Sequence, residues 1–188
     1  MFVLGKLNEK PLEKVLAKVQ SNPLSYHEIG QSTEDHLPHG YYHIEVRTQV
    51  GDGSDFDRAK AGLKSWAVQH GAGAKVFPDI EVSQDATILV ILGLFPVYFI
   101  APCRVVRIVD TPDRYGFAYG TIVGHLESGE ELFLVERSGD RTYFLVRAFS
   151  RPGNVLVRLT GPISRAVQKY FTRRYVRAMI NLVSRDGL

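Results

Sequence analysis

Five strand-like segments follow one another through very short connections, and this arrangement restricts the fold more than any other feature of the chain. The segments lie near residues 87–94, 97–108, 115–123, 131–137 and 142–150. Their connections are rich in Gly, Pro, Asp and Ser, which are typical turn residues. Strands joined by short turns pair antiparallel, because parallel neighbours need a long crossover. The sequence therefore predicts an antiparallel meander.

The uncharged stretch of residues 86–102 belongs to this meander. It is rich in β-branched and aromatic residues, and Gly93 and Pro96 interrupt it. A membrane-spanning helix needs about 20 consecutive apolar residues, which is more than this stretch provides. We therefore predict two buried strands broken between Gly93 and Pro96, and no membrane span.

Three elements are predicted ahead of the meander. Apolar residues at helical spacing over 12–19 predict a short helix whose narrow apolar stripe packs on the surface. Residues 41–50 alternate between apolar and polar, as a half-buried strand does. A second helix is predicted to begin with a capping box of Ser54 and Asp57 and to run to about residue 70.

The last part of the chain has an apolar stripe at helical spacing. Its members are Leu156, Leu159, Ile163, Val167, Phe171, Tyr175, Ala178 and Leu182. Proline inside a helix removes a hydrogen bond and clashes with the preceding turn. We therefore predict a short helix up to about Leu159 and a long one that begins near Pro162.

Together these elements predict one α+β domain over residues 1–188. It has an N-terminal helical extension over residues 1–24, strands with one inserted helix over 41–150, and a long C-terminal helix within 153–184. A curved antiparallel sheet packed around one long helix, the helix-grip arrangement, encloses a concave apolar space. Small ligands bind in such spaces.

Charge is distributed unevenly although the formal net charge is only +3. Ten arginines and lysines against one acid follow Asp140, so the preceding part of the chain is net acidic. We expect the C-terminal arginines to pair with this acidic part. The alternative is an anionic partner, a membrane surface or a nucleic acid, bound by the basic C-terminal helix. Nucleic acid is not the expected partner, because the aromatic residues of this helix fall on its apolar stripe.

Cysteine usage and the N-terminal residues indicate the compartment. Cys103 is the only cysteine, which excludes an intramolecular disulfide and favours a reducing compartment. The first ten residues lack the basic and apolar regions of a secretory signal. A cytoplasmic location is therefore expected.

Three groups of residues, spread over most of the chain, resemble one family. The first contains Tyr26-His27-Glu28-Ile29-Gly30, Leu37-Pro38-His39-Gly40-Tyr41, Gly51, Gly53, Phe56, Ala59 and Trp66. The second contains Gly116-Phe117-Ala118-Tyr119-Gly120-Thr121, Gly124-His125 and Glu127-Ser128-Gly129-Glu130-Glu131. The third contains Arg147-Ala148-Phe149-Ser150-Arg151-Pro152, Gly161-Pro162, Gln168 and Arg174-Tyr175. These residues resemble the domain-of-unknown-function family nineteen-ninety.

The resemblance implies an architecture similar to the START and Bet v 1-like helix-grip superfamily, whose members mostly bind lipids, hormones or polyketides. It implies a hydrophobic small molecule or lipid as the partner, held between the sheet and the C-terminal helix. An enzyme that acts on a lipid-like or polyketide-like substrate is the alternative on the same scaffold. The family has no established activity, no cofactor is predicted, and the sequence indicates no oligomeric state.

Six polar residues are candidates for ligand binding in this space. They are Tyr119, Arg147, Arg151, Gln168, Arg174 and Tyr175. Two arginines at the junction of the last strand and the final helix could bind a carboxylate or phosphate in a bidentate manner. The alternative for each of the six is a residue that is satisfied by hydrogen bonds within the fold or exposed on the polar face of the helix.

Three residues in the connection after residue 123 are candidates for catalysis. His125, Glu127 and Ser128 bring a base, a carboxylate and a hydroxyl together. A hydrolase would need Ser128 within hydrogen-bond reach of His125. We favour a simple turn instead, in which the following Glu130 and Glu131 meet arginines of the final segment.

Two further patterns are weaker. His36, His39 and His43 have a spacing that metal ligands can show, but Pro38 and Gly40 separate them, so no metal site is predicted. Cys103 lies in an apolar strand without a neighbouring base, so a catalytic thiolate is not expected.

Overall fold

The computed structural model describes residues 2–4, 8–94, 96–153 and 161–184. Its strands are β1 (Phe2–Leu4), β2 (Tyr42–Asp52), β3 (Lys75–Phe77), β4 (Thr87–Leu94), β5 (Val97–Thr111), β6 (Arg114–Thr121), β7 (Glu127–Ser138) and β8 (Arg141–Pro152). Its α-helices are α1 (Glu9–Val19), α2 (Phe56–Lys64), α3 (Ala67–Gly71) and α4 (Gly161–Val183). Short 3-10 helices occupy Gln31–Thr33 and Gly53–Asp55.

All strands belong to one antiparallel sheet with the order β2-β8-β7-β6-β5-β4-β3, and β1 pairs with β5. The predicted meander is confirmed, since β4 to β8 are neighbours in chain order. β2 does not join the meander at its start. It crosses to the far edge and pairs with β8. β1 and β3 are three residues long, too short to show the alternation from which strands are predicted.

Helices α2, α3 and α4 pack on one face of this sheet and form the main core with it. The ring centroids of Trp66 and Phe117 are 4.8 Å apart. Tyr175 of α4 packs edge-on to Phe133, with a distance of 5.0 Å between the ring centroids. The long C-terminal helix is thus held against the sheet by aromatic contacts. The predicted α+β helix-grip architecture is confirmed.

The predicted helix over residues 54–70 is wrong in two details. The helix is interrupted at Trp66, which adopts a left-handed backbone conformation with φ of 58° and separates α2 from α3. The break places the Trp66 ring in the core and lets its indole N–H donate to the carbonyl of Ile80 at 2.8 Å. The capping box is formed by Asp52 and Asp55 rather than by Ser54 and Asp57.

The uncharged stretch forms β4 and the start of β5, as predicted. Ile88 and Val90 face the main core, whereas Leu89 and Ile91 face a second cluster that includes Leu12 of α1. Both faces of β4 are therefore covered, which explains why its sequence is apolar rather than alternating. Among the described helices, none is long and apolar enough to cross a membrane. The short helix predicted up to about residue 159 lies outside the described residues.

The exposed side of α4 carries a row of cations, which we call the basic stripe. It consists of Arg165, Lys169, Arg173 and Arg177, each four residues after the last and each exposed. The expected pairing with the acidic part of the chain is wrong for this helix, because none of the ion pairs between described residues involves α4. The stripe therefore keeps its positive charge at the surface.

Candidate ligand-binding cavity

A cavity of about 570 Å³ lies between the sheet and α4. Its apolar lining residues are Ile44, Val90, Leu92, Val97, Phe99, Ala101, Leu126, Ala148, Phe149, Val167 and Phe171. Val97 and Val167 belong to this lining and are each 47 % exposed, so the cavity opens to solvent beside them. Tyr119 and Tyr175 also line the cavity, and both rings contact Phe133 of the aromatic core.

One row of directly paired residues crosses the sheet beneath the cavity. Strand register places Ile44 opposite Ala148, Ala148 opposite Glu131, and Glu131 opposite Tyr119. All four residues line the cavity. The Tyr119 hydroxyl donates a hydrogen bond of 2.8 Å to Oε2 of Glu131. The cross-strand register thus brings one carboxyl group into an otherwise largely apolar space.

Burial controls the charge of the groups around Glu131. It raises the pKa of the Glu131 carboxyl from 4.5 to about 7, although the hydrogen bond from Tyr119 acts in the opposite direction. Burial also raises the pKa of Tyr119, Tyr175 and Cys103, so these three groups stay neutral near pH 7. Glu131 is therefore the group in this cluster whose charge changes near neutral pH.

His125 lies close to the cavity opening. Its Nδ1 is 2.9 Å from both the backbone nitrogen and the carbonyl oxygen of Glu127, and its ring packs edge-on to Phe99 at 5.8 Å. Burial lowers the pKa of His125 to about 4, although the backbone contact with Glu127 opposes the change. The imidazole is thus neutral at physiological pH.

On the facing helix, Nε2 of Gln168 donates to Oγ of Ser150 at 2.8 Å, which ties α4 to β8.

Glu130 precedes Glu131 in β7, but its carboxyl group serves the opposite face of the sheet. It accepts hydrogen bonds from the Tyr26 hydroxyl at 2.7 Å, from the Gly30 backbone at 2.8 Å, and from both the backbone and the hydroxyl of Ser32. This carboxyl group therefore fastens residues 26–32 to the sheet.

Comparison with family models decides the relationship. The model described as Domain of unknown function (DUF1990) matches residues 25–178, which include the cavity and most of α4. The chain belongs to this family. The match extends over the three groups of residues that carried the resemblance, and it brings no established activity with it.

Relatives of this DUF1990 chain occur in bacteria and plants. A UPF0548 protein of Deinococcus radiodurans is 32% identical over 96% of this chain and 98% of its own length. A UPF0548 protein of Arabidopsis thaliana is 26% identical over 77% of this chain and 75% of its own length. A crystal structure of a hypothetical protein from Helicobacter pylori has a TM-score of 0.57 at 10% identity, covering 85% of this chain and 95% of its own. The structural likeness shows a shared fold.

Several residues predicted for the site of the DUF1990 chain lie at the cavity. Tyr119, Gln168 and Tyr175 from the ligand-binding set line it, and so do His125 and Glu127 from the catalytic set. Tyr119 and Tyr175 face inward because they belong to the apolar rows of β6 and α4. Gln168 follows the lining residue Val167 in α4 and also lines the cavity.

The three predicted arginines are not among the described lining residues. Arg147 is on the outer face of β8, where it pairs with Glu45 at 2.9 Å and donates to the carbonyl groups of Glu34 and Asp35. Arg151 is exposed, with its guanidinium 4.7 Å from the ring centroid of Tyr41.

Arg174 donates to the carbonyl of Ala72 just after α3 and to the Tyr170 hydroxyl. These contacts, with those of Arg147 and Arg151, correspond to the alternative of polar groups satisfied within the fold or exposed.

Ser128 is also not among the described lining residues. Its hydroxyl donates to the carbonyl of Ser25 at 2.8 Å, while His125 contacts the backbone of Glu127. The Ser–His pairing that a hydrolase needs is therefore absent between these two residues. The expected contacts of Glu130 and Glu131 with C-terminal arginines are wrong as well. The Glu130 carboxyl accepts hydrogen bonds from tyrosine, serine and backbone groups, and the Glu131 carboxyl accepts one from Tyr119.

The histidine pattern does not assemble a cluster. His43 lies with Nε2 2.9 Å from the Pro38 carbonyl. In the part of the chain that the structure covers, no group of three or more His, Cys, Asp or Glu side chains is arranged to hold a metal ion.

Sequence reasoning missed the position of Glu131 inside the cavity, although the signal was present. Glu131, Phe133 and Val135 alternate along β7 and therefore share one face of the sheet. Phe133 and Val135 are fully buried on that face. A carboxyl group in phase with two core residues is an unusual position, and it indicates a buried polar site.

Proposed function

We propose that this protein binds a hydrophobic small molecule or lipid in the cavity between the sheet and α4. The observation that carries the proposal is the cavity itself, because about 570 Å³ of space with a mostly apolar lining persists inside an otherwise close-packed core. Ligand sites in proteins typically measure about 300 to 1,000 Å³ and combine apolar walls with a few polar groups. Glu131, Tyr119 and Gln168 supply those polar groups.

The opening supports the same proposal. Val97 and Val167 lie at the surface and continue the apolar lining outward. An apolar molecule can therefore enter without crossing a fully polar rim. Solvent water, in contrast, finds few hydrogen-bonding partners along these walls.

Filling the cavity is the direct test. Ala148→Phe places a large side chain next to Glu131, whereas Ala166→Leu enlarges an exposed position of α4 outside the lining. We expect native mass spectrometry of the purified protein to detect a co-purified small molecule in the wild type and in Ala166→Leu but not in Ala148→Phe. A fluorescent apolar probe should follow the same order. Equal probe binding by all three proteins would place the probe outside the cavity and contradict the proposal.

Attachment to an anionic membrane surface is a second candidate function, favoured by the basic stripe. The stripe is exposed, carries four cations within one helix, and lies near the exposed Val167 and Tyr170. Cations beside exposed apolar side chains are typical of helices that bind anionic lipid surfaces.

A further inference from the structure

The electrostatics of the cavity distinguish between classes of ligand. Among the described residues that line the cavity, the acidic ones are glutamates, and none is a lysine or an arginine. His125 is neutral, because burial lowers its pKa to about 4. A ligand with a carboxylate or phosphate group would therefore meet no compensating cation among these residues, and it would suffer repulsion when Glu131 is ionised.

One atom of Glu131 is left for a ligand. Oε2 accepts the hydrogen bond from Tyr119, whereas Oε1 has no hydrogen-bonding partner among the described residues. The side chain lines the cavity, so this oxygen can be reached from within it. A buried carboxylate without a cation is costly, and a cationic partner removes most of that cost.

The groups that face Glu131 from neighbouring elements do not supply such a cation. They are Tyr119 from β6, Cys103 from β5 and Tyr175 from α4. Phenol and thiol groups are neutral or anionic but never cationic. No described residue that faces Glu131 supplies a positive charge, and a cationic ligand can supply it.

We propose that the cavity takes an amphiphilic amine, with its apolar body against the walls and its protonated nitrogen donating to Oε1 of Glu131. This inference rests on the proposed function, because it specifies which apolar molecules the same cavity prefers. The body of the ligand is limited by the cavity volume of about 570 Å³, which accommodates a medium-length alkyl chain or a small ring system.

Proton linkage gives the proposal a second signature. Burial raises the pKa of Glu131 to about 7, so in the free protein the carboxyl is mostly protonated below that pH. A cationic amine prefers the carboxylate, and binding below pH 7 must first displace the proton. Amine affinity should therefore rise as the pH increases through 7, as long as the amine remains protonated.

Dodecylamine, dodecanol and dodecanoate test the proposal, because they share an alkyl chain and differ in head-group charge. Binding is measured by displacement of a fluorescent apolar probe, below the concentrations at which the amphiphiles form micelles. The proteins are the wild type, Glu131→Gln and Glu13→Gln, the last of which removes the same charge from an exposed position of α1.

We expect the wild type to bind the amine most tightly and the carboxylate most weakly. Glu131→Gln should weaken amine binding roughly tenfold or more, as expected for loss of a charge-assisted hydrogen bond, and leave the alcohol nearly unchanged. Glu13→Gln should behave as the wild type. Amine affinity that ignores Glu131→Gln, or carboxylate binding as tight as amine binding, overturns this inference while leaving the proposed function standing. Failure of all three amphiphiles to displace the probe overturns this inference, whereas probe binding that Ala148→Phe leaves unchanged overturns the proposed function.

Discussion

Replacing Glu131 with glutamine should stabilise the protein, and the stabilisation should depend on pH. The substitution keeps the size of the side chain and an oxygen that accepts the hydrogen bond from Tyr119. It removes the group that loses a proton inside the cavity. Since burial raises the pKa of Glu131 from 4.5 to about 7, the folded state holds this proton more tightly than the unfolded state does.

The sign follows from proton linkage. Below about pH 4.5 the carboxyl is protonated in both states and costs nothing. As the pH rises towards 7, the unfolded state gains stability by ionising first, and above 7 the full penalty is present. The increase in pKa from 4.5 to about 7 corresponds to about 3 kcal/mol. Glu131→Gln should therefore match the wild type near pH 4.5 and exceed its stability by up to about 3 kcal/mol near pH 8.

The neighbouring glutamate provides a control with the opposite sign. Glu130→Gln removes a carboxyl group that accepts hydrogen bonds from Tyr26, Gly30 and Ser32. Glutamine offers one acceptor oxygen in place of two, and a buried donor left without a partner costs about 1 to 3 kcal/mol, so this variant should be less stable than the wild type at pH 8.

Urea unfolding followed by circular dichroism at pH 5, 6, 7 and 8 measures these differences. The slope of free energy against urea should be unchanged in both variants, because neither alters the surface exposed on unfolding. A free-energy difference between Glu131→Gln and the wild type that stays constant from pH 5 to 8 would refute the reasoning. It would mean that the Glu131 carboxyl is hydrated well enough inside the cavity to titrate like an exposed group.

Two further predictions concern the sheet and α4. Gly129→Ala should destabilise the protein by more than about 2 kcal/mol in urea unfolding, because a Cβ atom at Gly129 would lie 1.9 Å from the backbone oxygen of Phe149. Gly124→Ala is the control, because both glycines have a positive φ but a Cβ atom at Gly124 meets no atom within 4 Å. Replacing the four residues of the basic stripe with glutamine should abolish sedimentation with anionic vesicles, and wild-type binding should weaken steeply with added salt. Salt-independent binding, or binding to single-stranded nucleic acid alone, would contradict the membrane interpretation.

The order of elements could be predicted because periodicity reports burial directly. The β7 and β8 residues Phe133, Val135, Phe144 and Val146 alternate in sequence and are all fully buried in the core. Short connections then fixed their antiparallel pairing. The position of β2 beside β8 could not be predicted, because it depends on contacts between residues about 100 positions apart. Local sequence patterns carry no information about such contacts.

Only some of the cavity residues were predicted correctly. The prediction used residue type, whereas the side of the strand on which a residue lies decides whether it reaches the cavity. Arg147 and Tyr119 are both polar residues in strands, but Arg147 is out of phase with Val146 and therefore points outward. Tyr119 is in phase with Phe117 and points inward. The same criterion separates Glu130 from Glu131. Phase relative to the core residues of each strand carries the information that residue type alone does not.

The basic stripe on α4 and Glu131 on β7 carry charges of opposite sign, and their effects can be separated physically. The basic stripe is exposed to solvent, where salt at physiological concentration screens charges beyond about 8 Å. Glu131 lies inside a poorly polar cavity, where screening is weak. The stripe should therefore act on association with an anionic membrane, and Glu131 on the affinity of the molecule bound in the cavity. Stripe variants that change membrane association but not amine affinity, together with Glu131 variants that do the reverse, would show that the helix surface and the cavity serve two independent functions.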